Sequence, residues 1–172
     1  MTVSVKVTKD KTKKVIGAIS KLALDEVLIG IPAETSARSG EPATNADLGY
    51  IHEFGAPGAN IPARPFLIPG VKMVLGKAVA TLKRGASGAV SGDATAISKA
   101  LHSAGTVAEM SVKSKITDGP FAPLSERTKA ARRAKHNYAA TQQGSDFVEM
   151  RPLIDTGQLR KAITYVVRRK GK

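Results

Sequence analysis

The stretch TNADLGYIHEFGAPGANIPARPFLIPG, residues 44–70, constrains this chain more than any other. Pro62 and Pro65 fix their own φ angles and push Ile61 and Arg64 toward extended conformations, so neither a helix nor a central strand runs through IPARPF. That segment reads as a rigid strap. A short helix precedes it. Thr44 is placed to accept a first-turn amide, and Asp47, three residues on, completes a capping box, although Asp is a weaker partner there than Glu. Ala46, Tyr50 and Phe54, with Ile51 beside them, give that helix one apolar side. Gly55 suits the left-handed position at its end. Beyond the strap, Phe66, Leu67 and Ile68 are predicted to anchor it in a core, and Pro69 to open the next helix, where a missing N–H costs nothing.

The remainder of the chain must build a core around this strap with little aromatic material. Of 172 residues, 42% are hydrophobic but only 4% aromatic, with no Trp. A core of Ala, Val, Leu and Ile buries less area per residue than an aromatic one, which points to apolar surface completed between subunits. The length fits a single domain, 1–172. There are no cysteines and hence no disulfides. No apolar run is long enough to span a bilayer, and MTVSVKVTKDKTKK lacks the apolar region of a signal peptide.

Taken in order, residues 2–8 alternate apolar and polar, with Val3, Val5 and Val7 on one face, and predict a strand. After Asp10, the residues Val15, Ile16, Ile19 and Leu22 share a helical face, with Lys11, Lys13, Lys14 and Lys21 on the wet side. VLIGIP, ending at Pro32, predicts a second strand. Residues 33–43 are small and polar and read as a flexible loop or arm. Two long helices follow, over 70–84 and 93–117. The first carries Val71, Val74, Leu75, Ala78, Val79 and Leu82, weakened by Gly76 and broken by GASGAVSG at 85–92. Asp93 opens the second, which carries Ile97, Leu101, Ala104, Ala108, Val112 and Ile116 until Gly119 and Pro120 stop it. Pro123 and Ser125 start a short basic helix. Residues 134–150 lack a period and read as a long flexible loop. Asp155 or Thr156 caps a helical turn through Leu159, and Ile163, Tyr165 and Val167 alternate into a closing strand. The expected class is α+β: a small, mostly antiparallel sheet packed against two long helices, with long mobile loops.

Catalytic patterns are sparse. His52-Glu53 is half of a zinc-protease motif, but Ala56 stands where the second His is required, and His102 and His136 are not at ligand spacing. GASGAVSG lacks the Lys-Ser/Thr of a phosphate loop, no nucleophile elbow is present, and carboxylates are scattered. No catalytic, cofactor or metal site is predicted, and a binding or structural role is favoured over an enzyme. The net charge of +13 concentrates at Lys9–Lys14, Arg127–Lys135 and Arg168–Lys172. These runs read either as solvated faces or as contacts with duplex backbone or acidic protein. Single-strand binding is disfavoured, because the clusters offer no stacking residue beyond Tyr138.

Two motifs, IHEFGAPGANIPARPFLIPGV and PLIDTGQLRKAITYVV, stand in order with VLIGIP before them and PLSERTKAARR between them. Together, over about residues 26–167, they resemble the tailed-bacteriophage neck and tail-completion family, often described as minor tail components or virion morphogenesis proteins. His52, Glu53, Phe54 and Gly55 match that family's helix end. Pro62, Arg64, Pro65 and Phe66 match its strap. Leu153, Asp155, Thr156, Gly157 and Leu159 match its C-terminal turn. Residues 134–150 look longer than the family carries, and GASGAVSG looser.

The resemblance implies a non-enzymatic virion protein without cofactors. It would be a small α+β subunit of a homo-oligomeric ring, sixfold as expected, in the neck between head and tail. Its implied partners are copies of itself, the head-closure or connector protein, and the tail tube or tail terminator. Packaged DNA is a further non-specific contact, and a membrane is not expected. For Arg64 two readings stand: an ion pair with Asp155 or Glu53, or an interface contact. The rival functions are a basic DNA-binding architectural protein and, on His52-Glu53 alone, a virion hydrolase.

Overall fold

The computed structural model describes residues 10, 12–35, 37–38, 42–143 and 150–171. The expected strand over 2–8 lies outside these residues, as do residues 36 and 39–41 of the loop expected over 33–43. The elements are α1 (Thr12–Leu24), β1 (Asp25–Gly30), α2 (Asn45–Phe54), α3 (Leu67–Val90), α4 (Ala96–Asp118), α5 (Glu126–Gln143), α6 (Gln158–Ala162) and β2 (Thr164–Arg169), with short 3-10 turns at Ala33–Thr35 and Pro57–Ala59. The class is α+β, with β1 and β2 forming an antiparallel two-stranded sheet. Among the described residues, no helix is long and apolar enough to cross a membrane.

The chain forms two compact units. The first is drawn from the chain up to Leu28, from Val74–Ala108 and from Tyr165 onward. Here the sheet lies on the two long helices. Val27 of β1 and Val167 of β2, with Leu82, pack on buried Ala89, Ile97 and Leu101. Arg168 reaches Glu26 across the strands at 3.1 Å, and the Lys170 amide donates to the Leu24 carbonyl at 2.6 Å.

GASGAVSG does not break α3, which continues to Val90. An added Cβ at Gly85 would run into the Ala100 methyl and the Ala96 carbonyl, and one at Gly88 into the Ala96 methyl. The glycines are therefore a contact surface for α4, and the packing they permit outweighs their poor helix propensity. Gly105 makes the same accommodation for the Tyr165 ring. The stripe on α4 is buried along its length, from Ile97 to Ile116. On α3, by contrast, Leu75 and Val79 are exposed.

Helix α1 forms where its spacing predicts, with the Asp10 carboxylate accepting the Thr12 amide at 2.8 Å. Among the described residues its apolar face is left largely open: Ile16 is 58% and Ile19 51% exposed. The Leu22 side chain lies outside the description.

The second unit comprises Ile29–Met73 and Glu109–Thr164. Its core is Phe66, Val112, Ile116, Leu153 and Ile163, bordered by Ile29, Ile31, Leu67, Val71, Phe121 and Ile154. Burying a side chain such as Phe66 stabilises a fold by about 1.5–3 kcal/mol. Gly70 lets the start of α3 approach the Val112 backbone, and Ser111 donates its hydroxyl to the Gly70 carbonyl at 2.7 Å. Helix α5 starts at the Ser125 cap but runs past Ala134 to Gln143, so the loop expected over 134–150 is helical in its first part; residues 144–149 lie outside the description. Ala-rich composition carries the helix on where no apolar period was visible.

Candidate functional site

All thirteen residues singled out from the two motifs fall in the second unit, and they divide into a buried frame and an exposed surface. The frame begins at α2. The capping box forms as its sequence requires. The Thr44 hydroxyl accepts the Asp47 amide at 3.1 Å, and the Asp47 carboxylate accepts the Thr44 amide at 2.9 Å. The Thr44 hydroxyl also donates to that carboxylate at 2.7 Å, and this bond, then the one from the Thr44 amide, holds the Asp47 carboxyl below the usual range.

The inward face of α2 is not its apolar side. Asn45, Gly49 and Glu53 are buried, whereas Tyr50 is 67% and Phe54 57% exposed. The reason lies at the start of α3. The Glu53 carboxylate accepts the amides of Phe66 at 2.7 Å, Leu67 at 2.8 Å and Ile68 at 3.0 Å. A helix leaves its first four N–H groups without internal partners and favours negative charge there. Here three of them meet one carboxylate and the fourth position is Pro69, which has no N–H. Helix α3 therefore opens at Leu67, two residues before the proline. Gly49 completes this face: a Cβ there would strike Ile31.

The strap is held from both ends. Gly55 turns the chain at φ 79°, and a Cβ on it would meet the Ala63 amide at 2.9 Å. Its amide closes α2 on the Ile51 carbonyl at 2.7 Å, although its ψ of 171° is extended rather than helical left-handed. Ala56 and Ile61 pair as an antiparallel bridge around Asn60, whose φ is 53°. The Arg64 amide donates to the His52 carbonyl at 2.6 Å. Its buried guanidinium pairs with neither Asp155 nor Glu53. It donates instead to the carbonyls of Ala122 at 2.8 Å and Pro123 at 2.9 Å. Burial, then the nearby Arg132, lowers its pKa.

Other arginines do similar work. Arg132 donates to the carbonyls of Arg151 at 2.7 Å and Ile154 at 2.9 Å, and lies 3.7 Å from Asp155. Arg151 donates to the Thr117 carbonyl, and Arg160 to that of Lys113, so the carbonyls near the end of α4 receive cations as the helix dipole favours. Nothing in ARRAK marks Arg132 as different from Arg133. Only the placement of the Leu153–Asp155 turn separates them.

Two concavities adjoin this frame. One is a polar hollow of about 150 Å³ lined by Arg38, Asn45, His52, Arg132, Asp155 and Gln158, among others. The Oδ1 of buried Asn45 and the Nδ1 of His52 have no hydrogen-bond partner in it. Burial first, then Arg64 and Arg132, push the His52 pKa down. The hollow thus disfavours the charged form of the imidazole. Glu53 beside it in sequence is committed to α3, so the pair provides no acid–base couple. No group of three or more His, Asp or Glu among the described residues is placed to hold a metal.

The other concavity is apolar, about 260 Å³, floored by Gly49 and Phe66 and walled by Tyr50, Phe54 and Ile68. The two aromatic rings lie 4.8 Å apart, tilted by 50°. Pro62 and Pro65 of the strap, and Thr156 of the C-terminal turn, are also exposed, whereas Leu153 and Leu159 are core. Tyr50 and Ile68 are surface residues that sequence reading placed elsewhere. Their exposure follows from Glu53 facing inward, which no local signal announces. Comparison with family models, curated proteins and solved structures finds no match to this chain.

Proposed function

We propose that the protein is a structural virion subunit of the head–tail connection of a tailed bacteriophage. In this reading it forms a homo-oligomeric ring, sixfold, in the neck, and meets the connector side and the tail tube or terminator without catalysing a reaction. The observation that carries the reading is the rigid display of Tyr50 and Phe54. A frame built from the buried members of both sequence motifs holds two aromatic side chains in water beside an open apolar groove. Exposed aromatics on a preorganised surface are what a permanent protein interface uses, since little ordering is lost when it closes.

The test is particle composition. Mass spectrometry of purified particles should find the chain at a fixed copy number. Particles made without it should accumulate as unjoined heads and tails. Normal infectious particles lacking the chain overturn the reading.

A DNA-binding architectural role is the second reading, favoured by exposed Arg127 and Arg133 on α5 and Arg168 and Arg169 on β2 in a chain of charge +13. Filter binding separates the two. Tight duplex binding by the free chain, falling steeply with salt, supports the second.

A further inference from the structure

We infer that the polar hollow beside α2 binds one small oxyanion, a carboxylate or a phosphate- or sulfate-like group, on Asn45, His52 and Arg38. This goes beyond the ring reading and does not depend on it. The hollow has about 150 Å³ open, against about 30 Å³ for a water molecule in the liquid, so it takes a group of several heavy atoms. Two of its polar side chains are left unpaired. Asn45 is 5% exposed and its Oδ1 has no hydrogen-bond partner, and neither has the buried Nδ1 of His52. A buried polar atom without a partner is costly, and two in one cavity mark a place where a bound group supplies the bonds.

Charge decides which group. Arg38, Arg132 and Asp155 line the hollow. The Asp155 carboxylate is matched by Lys135 at 3.4 Å and Arg132 at 3.7 Å, so cations remain in excess and favour an anion over a neutral ligand. Arg132 is committed to the carbonyls of Arg151 and Ile154. Arg38 is not: it donates to the Gln158 Oε1 at 3.3 Å through its Nε, which leaves its terminal N–H groups for an oxyanion. Among the described residues no hydrogen bond holds the Asn45 amide, so it can present its NH2 instead of its oxygen. His52 donates from Nδ1 in one neutral tautomer, and more strongly when protonated. Burial first, then Arg64 and Arg132, oppose that protonation, and a bound anion offsets the two cations. Anion binding and proton uptake at His52 therefore favour each other.

Inorganic sulfate is the probe, because its charge does not change across the window around the imidazole value of about 6.5. Titration calorimetry of the full chain reads the affinity. Proton NMR against pH reads the imidazole, with the His52 signal assigned by its loss in His52→Gln. Sulfate should bind at one site per chain, raise the His52 pKa, and bind several-fold more tightly below about pH 6.5 than above it. Acetate forms the second arm: the tighter of the two anions tells a carboxylate source from a phosphate-like one. Arg38→Gln and Arg133→Gln remove the same charge, one inside the hollow and one on the exposed side of α5. The first should weaken binding by about ten-fold and the second should leave it unchanged. Equal weakening by the two variants makes the binding a diffuse charge effect, and a His52 pKa that neither anion moves leaves the hollow to water; either result overturns the proposal.

Discussion

The Glu53 carboxylate accepts the Phe66 backbone amide at 2.7 Å across 13 residues of sequence, and through that bond the end of α2 fixes the start of α3. The same carboxylate takes the next two amides, so one side chain sets the strap's length, the inward face of α2 and the outward aim of Tyr50 and Phe54.

Removing it should be severe for a single residue. Glu53→Ala strands three amides and should cost about 3 kcal/mol, whereas Glu53→Gln keeps one acceptor oxygen and should cost about 1–2 kcal/mol. Urea unfolding of the two variants measures both. A Glu53→Ala loss below about 0.5 kcal/mol would contradict the assignment.

Two glycines of α3 should respond to alanine with opposite signs. Gly76 has open space around it, so Gly76→Ala should stabilise by up to about 1 kcal/mol through helix propensity. Gly85 faces Ala96 and Ala100, and Gly85→Ala should destabilise by about 1–3 kcal/mol through overpacking despite the same propensity gain. Thermal unfolding of the pair distinguishes a contact glycine from a helix breaker.

Tyr50 and Phe54 should separate stability from assembly. Both are exposed, so Tyr50→Ser and Phe54→Ser should change the unfolding free energy by about 0.5 kcal/mol or less. Sedimentation of the same variants should show self-association lost. A loss of several kcal/mol with self-association intact would place these rings in a core instead.

Acid should weaken the fold through His52. Its pKa is held below the ordinary 6.5 by burial, then by Arg64 and Arg132. The unfolded chain takes up this proton as pH falls through about 6.5, while the folded chain resists it. Stability is therefore complete above about 6.5 and declines as pH drops toward the folded value. Asp47, Asp93 and Glu126, whose pKa values hydrogen bonds also lower, add losses only in the more acidic carboxylate range. Urea midpoints between pH 7.5 and 5.5 should fall for the native chain and stay nearly flat for His52→Gln, in a window set by the imidazole value of about 6.5.

Where the physics is local, the sequence was legible. The Thr44–Asp47 box, the Ser125 start of α5 and the α4 stripe from Ile97 to Ile116 depend on neighbours within a few residues, and each stands where its pattern puts it. The misreadings share a tertiary cause. Tyr50 and Phe54 outnumber their neighbours in apolar area, yet Gly49 and Glu53 turn inward because α3 needs a carboxylate. Gly85 and Gly88 resemble breakers until Ala96 and Ala100 pack on them. Arg64 reads as an ion-pair or interface residue, and Arg132 as part of a solvated or contact run, until the carbonyls of Ala122, Pro123, Arg151 and Ile154 arrive from later in the chain. Motif spacing picked out thirteen residues without separating the buried ones, such as Glu53 and Arg64, from those that face water, such as Phe54 and Pro62.

Electron microscopy of the purified chain, alone and mixed with tail tubes, tests the central claim most directly. Closed rings of one copy number, seated on a tube end, with the Tyr50–Phe54 groove covered by the neighbouring copy, are expected. Particles that remain single subunits in both samples, with the groove open and the tube ends bare, would contradict it.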